Sequence, residues 1–480
     1  MAALGPVRWR RRLGLLLPLV AVAAAVAGVL VGRGEDADRA AALAPPDAGL
    51  WIRASTASGD DQARLWEIAQ RFPSLRALQA RLLGAGVDPE RDVRPWLGGE
   101  LGLALPAAGT GPLLIAAVAD RAAAERFRRR LPEGTASAFA NDFLLIGPRA
   151  EVEAAADRAG GNAPSLADSR VYRRAAELGR APLELYAAAP GLRRLLAEAP
   201  AAVRAVGAFV EAPNFEGLAA RVRPEAGGVR VSARVLRAPG APAAQEFAPA
   251  LQGRVPASAA AFLEVPGADA LITLLERGGA GPLMAAVRAA LPDLAGLDLD
   301  RDVLGPLAAE AAVTLTARGA TPVFTLTART DNPALTREVL ARLQEPLAEQ
   351  LTGTARSFRA LDDNAFSLPV TRALEPSYAL DGDIVIASTA VSGLDQRTLA
   401  RRGLAQELVL RAVSDQAGGR IEALAFADLS QLLALGERTG LNLGPGFPVV
   451  RDDLRQLRAA GVVVRREESD STAELFLEIP

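Results

Sequence analysis

Residues 86–100, GVDPERDVRPWLGGE, return as residues 296–310, GLDLDRDVLGPLAAE, at a constant offset of 210. Gly86/Gly296, Asp88/Asp298, Arg91/Arg301, Asp92/Asp302, Val93/Val303, Leu97/Leu307 and Glu100/Glu310 are identical, seven matches in fifteen positions without a gap. A repeat this long means that one folding unit is used twice, so any architecture read from the first copy must also suit the second. The same offset carries Pro46 onto Pro256 and Pro112 onto Pro322. Past residue 131 it widens to 241, aligning 141–146 with 382–387. The second copy therefore holds about thirty-one extra residues within 342–382, which predict added helix and a hairpin through Phe358–Leu368.

Hydrophobic periodicity predicts the same order of elements in both copies. An opening strand (Leu50–Ala54; Ala260–Val265) leads to helices at Gln62–Gln70 and Ser74–Leu83, or Ala268–Leu275 and Pro282–Leu291. After the Asp-rich turn come strands at Leu101–Leu105 and Leu113–Ala119, or Ala311–Ala317 and Val323–Ala328. A helix follows (Arg121–Arg130; Pro333–Gln344), then a short strand after Asn141 or Gly382, and a strand at Leu183–Ala187 or Ala423–Ala427. Each copy closes on an alternating hairpin, Val222–Arg237 around Gly227-Gly228 and Gly461–Ile479 around Ser469-Asp470. The pattern predicts an α+β fold of two tandem duplicated lobes, each a mainly antiparallel sheet with helices on one face. The segments are 1–12 (basic), 13–31 (apolar), 32–44 (linker), 45–240 (first repeat), 241–255 (a Pro- and Ala-rich connection) and 256–480 (second repeat).

Leu13–Val31 is a run of nineteen uncharged, mostly apolar residues behind Arg8, Arg10, Arg11 and Arg12. At about 1.5 Å per residue it reaches roughly 28 Å, close to the thickness of a bilayer's hydrocarbon core. Its basic flank predicts a single-pass transmembrane anchor with a cytoplasmic N-terminus and an extracytoplasmic body. A cleaved signal peptide also exports the body, but its apolar core is usually shorter, about 7–15 residues.

The composition removes much chemistry. The chain has no Cys, no His and no Lys, so all 54 basic residues are Arg. Thiolate and imidazole metal ligands, His-dependent nucleophiles, Schiff-base lysines and the phosphate-loop lysine are therefore excluded. Outside the first twelve residues the net charge is −6 and aromatics are 4% of the chain, which argues against nucleic acid as a partner.

Asp298, Asp300 and Asp302 alternate like the start of a calcium loop. The sixth and twelfth places of that loop are Val303 and Ala309, however, where Gly and Glu are required. These acids, with Asp88, Glu90 and Asp92 in the first copy, read as caps of a short helical turn. Glu100 and Glu310 are candidates for carboxylate catalysis, but nothing in the spacing brings a second acid to a defined distance. The glycines around Gly109-Thr110-Gly111 and 278–281 read as turns. Trp51, Trp66 and Trp96 read as core rather than as a pocket lining, and Arg126, Arg128, Arg129 and Arg130 as a solvated, ion-paired helix face. No catalytic, cofactor-binding or metal residue is assigned.

Pro45-Pro46-Asp47, Phe72-Pro73, the turn Asp92–Glu100, the strand Phe143–Gly147 and Ser165-Leu166 together resemble domain-of-unknown-function family 3352, a family of bacterial membrane-anchored proteins. The second copy departs from the motif, with Pro306 where the first has Trp96. The resemblance implies an anchored extracytoplasmic protein and supplies no activity. The expectation is a non-enzymatic binding or scaffolding role in the cell envelope, with an apolar ligand or an envelope protein as partner and the junction between the lobes as the place to look. The alternatives are a carboxylate-dependent hydrolase of an envelope polymer and an accessory subunit of a membrane complex.

Overall fold

The computed structural model describes residues 39–480 apart from 57–58, 75, 77–86, 107–110, 198–213, 241–244, 277–280, 355, 399–401, 416–417, 440–446 and 468–469. Its first strand, β1 (Ala48–Ser55), is buried at all eight positions. Side chains alternate between the faces of a strand, so burial at every position requires cover on both sides of the sheet. Leu50, Ile52 and Ala54 pack with Leu65, Ala123, Phe127 and Leu192, from the helices Asp60–Gln70, Arg121–Arg128 and Ala189–Ala197. Trp51 faces the other way, among Ala40, Val152, Ala155, Leu166 and Tyr172. The expectation of helices on one face is therefore corrected: the helices lie on both, because strands such as β1 carry apolar side chains on both.

The remaining strands of the first part are β2 (Leu97–Pro106), β3 (Leu113–Val118), β4 (Ala136–Ala140), β5 (Phe143–Gly147), β6 (Leu183–Ala188), β7 (Phe215–Glu225) and β8 (Gly228–Arg237). The second part has β9 (Ala261–Val265), β10 (Glu310–Arg318), β11 (Thr321–Arg329), β12 (Arg359–Asp362), β13 (Ala365–Ser367), β14 (Ser377–Asp381), β15 (Ile384–Ser388), β16 (Ala423–Asp428), β17 (Ala459–Glu467) and β18 (Asp470–Glu478). Every pairing between them is antiparallel. The first set runs β4-β5-β3-β2-β1-β6-β7-β8 across the sheet. The second runs β14-β15-β11-β10-β9-β16-β17-β18 through the corresponding places, with β13 and β12 added outside β14. The added hairpin falls where the extra residues of the second copy predict one.

The two sets do not form separate sheets. β8 pairs with β18 over eight residue pairs, from Val235↔Ser471 to Gly228↔Glu478, giving one sheet of eighteen strands. A cleft between the parts is thereby replaced by a hydrogen-bonded ladder. Polar side chains reinforce it: Arg174 reaches Glu216 and Asp470 at 2.6 Å each, and Ser232 donates to Glu474 at 2.8 Å. Close backbone approach at the seam requires Gly228, where a Cβ would lie 2.0 Å from the Leu477 carbonyl oxygen. The apolar run 13–31 lies outside the described residues, as does most of the helix expected at Ser74–Leu83. Among the described residues no helix is long and apolar enough to cross a membrane.

Candidate functional site

The repeated acids fold into one structure made twice. In the first turn (Pro89–Val93) the Asp88 carboxylate accepts from the amides of Glu90 and Arg91 at 3.0 and 3.2 Å, and Asp92 accepts from the Asp88 amide at 3.0 Å. In the second (Leu299–Leu304), Asp298 accepts from the Arg301 amide and Asp302 from the Asp298 amide, both at 2.8 Å. Arg91 and Arg301 each donate twice to the next residue, Asp92 or Asp302. Hydrogen bonds from these arginines, then from the Asp88 and Asp298 amides, lower both aspartates to about 2. These carboxylates thus serve as turn caps. Among the described residues no cluster of acids is arranged to hold a metal ion.

Glu100 and Glu310 are buried and perform a similar task in the sheet. Glu100 accepts from the amides of Arg39 and Ala40 at 3.0 and 3.2 Å, where the helical turn Ala40–Ala42 begins. Glu310 accepts from the Ala250 amide at 2.6 Å, just before the turn Leu251–Gly253. Their partners differ. Arg53, fully buried on β1, donates to Glu100 and Glu184, both at 3.1 Å. In the second set the corresponding register position holds Glu264. Arg53 stands opposite Gly102, two residues past Glu100, and Glu264 opposite Ala312, two residues past Glu310. Glu264 accepts from the amides of Ala250 and Leu251 at 3.0 and 2.8 Å. Burial first, then hydrogen bonding to Glu310 and its charge, push the Glu264 carboxyl well above its usual range, favouring its neutral form. The single charge inside each apolar strand, GLWIRAS and AFLEV, was the sequence signal for these two residues.

The central strands divide by face. A cross-strand row on one face reads Leu183, Val222, Val231, Leu475, Val462, Ala425, Leu263, Val313, Leu326 and Ala387, from β6 to β15. All ten residues are apolar, and the eight from Val231 to Ala387 are only half-buried. At the usual strand spacing of about 4.8 Å those eight span roughly 34 Å. Phe324, on the same face of β11, is 51% exposed. On β1, β6, β7, β8 and β18 the opposite face carries the row Arg53, Glu184, Arg221, Ser232 and Glu474, which continues as Val463, Leu424, Glu264, Ala312, Thr327 and Ile386 over the strands from β17 to β15. The alternation at 229–235, VRVSARV, was legible in the sequence. The joining of the two hairpins that extends it across the sheet was not.

The other predicted features are structural. Trp51 and Trp96 are buried, and Trp66 packs against the core. Trp96 packs on Phe127 with ring centroids 5.2 Å apart and donates from Nε1 to the Asp92 carbonyl at 2.8 Å. Arg128 pairs with Glu125 and Arg130 with Asp92. Gly109-Thr110 and 278–280 lie outside the described residues. A cavity of about 20 Å³ beside Trp51 and Tyr172 has room for a water, and a depression of about 270 Å³ is lined by Asp61, Gln62, Arg180 and Arg223.

No curated protein matches the sequence. Two crystal forms of TP0453, III and I, are similar at 8% and 7% identity. They cover 44% and 43% of this chain and 84% and 82% of that protein, with a TM-score of 0.27 in each case, below what a shared fold requires. The sequence model described as "Protein of unknown function (DUF3352)" matches residues 115–434, more than half of the chain, and by that match the chain belongs to this family.

Proposed function

We propose that this is a non-enzymatic binding protein of the cell envelope, anchored by residues 13–31 with its body outside the membrane, and that it takes an apolar ligand on the uncharged face of the central strands. The observation that carries this reading is the unbroken apolar row from Val231 to Ala387, partly exposed over eight successive strands. A face of Val, Leu and Ala that is incompletely covered gains free energy when an aliphatic group displaces its water, whereas a charged ligand would be desolvated without compensation. The body is read as a tandem duplication. Support comes from the residue-by-residue match of the two acidic turns and from the recurring strand order, with β12 and β13 as an insertion in the second copy. The carboxylates that suggested a hydrolase all have backbone amides as partners, which favours binding over chemistry.

The test uses cis-parinaric acid, whose fluorescence rises in an apolar environment. Saturable binding to the wild-type chain is expected, with loss in Val462→Arg and Leu475→Arg variants that keep the wild-type circular dichroism. Absence of saturable binding, or unchanged binding in folded variants, would refute the ligand assignment. Protease added to intact cells tests the topology separately: digestion of the body is expected, and full protection would overturn it.

A further inference from the structure

The sheet has two outer strands, β4 and β12, and they are finished differently. β12 is four residues long and fully exposed, carries Arg359 and Asp362, and breaks register between Ala360 and Asp362. Short length, charge and irregular pairing are the devices by which an edge is kept from accepting another strand. β4, Ala136-Ser137-Ala138-Phe139-Ala140, has none of the last two: no charge, no proline and an unbroken register with β5.

The unpaired groups of β4 can be located. Ala140 and Phe143 flank the two-residue turn Asn141-Asp142, with Asn141 at φ 49°. They form the hydrogen-bonded pair that closes such a hairpin, so by alternation Ala138 and Ala136 also bond inward, while Ser137 and Phe139 direct N–H and C=O away from the sheet. No partner for those groups is found among the described residues. At the 241-residue offset the matching positions are Tyr378 and Leu380 of β14, and there the edge is covered: Tyr378 pairs with Phe366 of β13 and the Leu380 amide donates to the Asn364 carbonyl at 3.0 Å. The second half therefore shows this edge accepting a strand, and among the described residues the first half leaves it open.

We propose that β4 is an interface between two copies of this chain, paired antiparallel about a two-fold axis through Ala138. The register is self-complementary. Ser137 of each copy faces Phe139 of the other, so the outward donors and acceptors of both satisfy one another, and the interface closes without leaving a new edge. The residue on the axis is small, and the strand brings no charge against its own image. Arg121, 4.2 Å from the Phe139 ring centroid, holds that ring beside the edge.

The absence of cysteine makes the test direct. Across the axis the Ala138 positions form a non-hydrogen-bonded pair with Cα atoms about 4.5 Å apart, within disulfide range of roughly 4.4–6.8 Å. Full-length Ala138→Cys, treated with oxidised glutathione, should form a covalent dimer at least about tenfold faster than Ala360→Cys on the charged edge, because pairing raises the local thiol concentration. Adding Ser137→Pro, which removes an outward donor, should bring the rate down to that of Ala360→Cys. Equal rates for the two cysteine variants would overturn the proposal, as would undiminished cross-linking in a folded Ser137→Pro, Ala138→Cys chain. If the proline variant fails to fold, the comparison of the two cysteine positions decides alone.

Discussion

Replacing Arg53 by Met separates the energetic role of its ion pairs from simple packing, since Met fills much of the same volume without charge. Arg53 is fully buried and donates to two carboxylates, Glu100 at 3.1 Å and Glu184 at 3.1 Å. Its loss takes a guanidinium donor from Glu100, 2% exposed, which keeps the amides of Arg39 and Ala40, and from Glu184, 18% exposed, which keeps the Ala181 amide and some access to water. Removing one member of a buried pair costs about 3–5 kcal/mol, because the remaining charge is stranded in a medium that solvates it poorly. The water available to Glu184 places Arg53→Met near the lower end, about 3 kcal/mol. Urea unfolding followed by tryptophan fluorescence measures it, with Trp51 as the local reporter. The double variant Arg53→Met, Glu100→Gln removes the stranded charge as well, so its loss should fall short of the sum of the single losses by at least about 1 kcal/mol. A single-variant loss under about 1 kcal/mol, or strict additivity in the cycle, would show that the pairs contribute little and refute the reasoning.

Three further measurements follow from the same structure. Glu264 is held above the ordinary 4.5 by burial and by Glu310, so the folded chain keeps its proton more tightly than the unfolded one. That stability is complete below about pH 4.5 and is lost as pH rises through the raised value. Glu264→Gln cannot titrate and should match wild type near pH 4 and exceed it at pH 9; parallel pH profiles would contradict this. Asp92 and Asp302 are depressed to about 2, so their contribution is present above the ordinary 3.8 and disappears as pH falls through about 2. Asp92→Asn and Asp302→Asn should each lower the melting temperature at pH 7 and converge with wild type at the acid end, with no pH optimum of activity involved. Gly228→Ala places a Cβ 2.0 Å from the Leu477 carbonyl oxygen and should cost about 1–3 kcal/mol. Faster hydrogen exchange should appear at 475–477 and not in β1; uniform change would mean that the seam is not where the strain falls.

Element type was readable wherever local pattern and local cause coincide. Ala268–Leu275 has the predicted bounds, and the hairpins at Phe215–Arg237 and Ala459–Glu478 follow their alternation. The acidic turns were read as caps because Asp at the N-terminus of a turn has a local donor to bind. What the pattern could not supply was long-range pairing. β8 and β18 are 233 or more residues apart, and their alternation shows that each has an apolar face, not that the two faces adjoin. Nor could it show cover on both faces. Leu50, Ile52 and Ala54 already account for one core, and only the positions of Val152 and Tyr172 reveal that Trp51 belongs to a second. β4 was missed because Ala136-Ser137-Ala138 carries little strand signal of its own and is held by its register with β5.

Comparison of the two halves separates residues that hold the backbone from those free to change. The identical acids all accept backbone amides: Asp88 and Asp298, Asp92 and Asp302, Glu100 and Glu310. Amides at the start of a helical turn have no partner within the turn, and buried ones must find an acceptor, so each of these turns requires a carboxylate there. Arg53 and Glu184 are not repeated, although Glu184 also accepts the Ala181 amide, and the corresponding places hold Glu264 and Leu424. In one half the buried carboxylate is paired with an Arg; in the other, burial and a neighbouring carboxyl favour the neutral form of Glu264: two responses to the same desolvation problem. Identity between the repeated stretches is therefore accounted for by the demands of folding. The uncharged row from Val231 to Ala387 performs no backbone duty and is only partly covered, so on the proposed binding role it is there, rather than at the repeated acids, that variants should alter binding while leaving the fold intact.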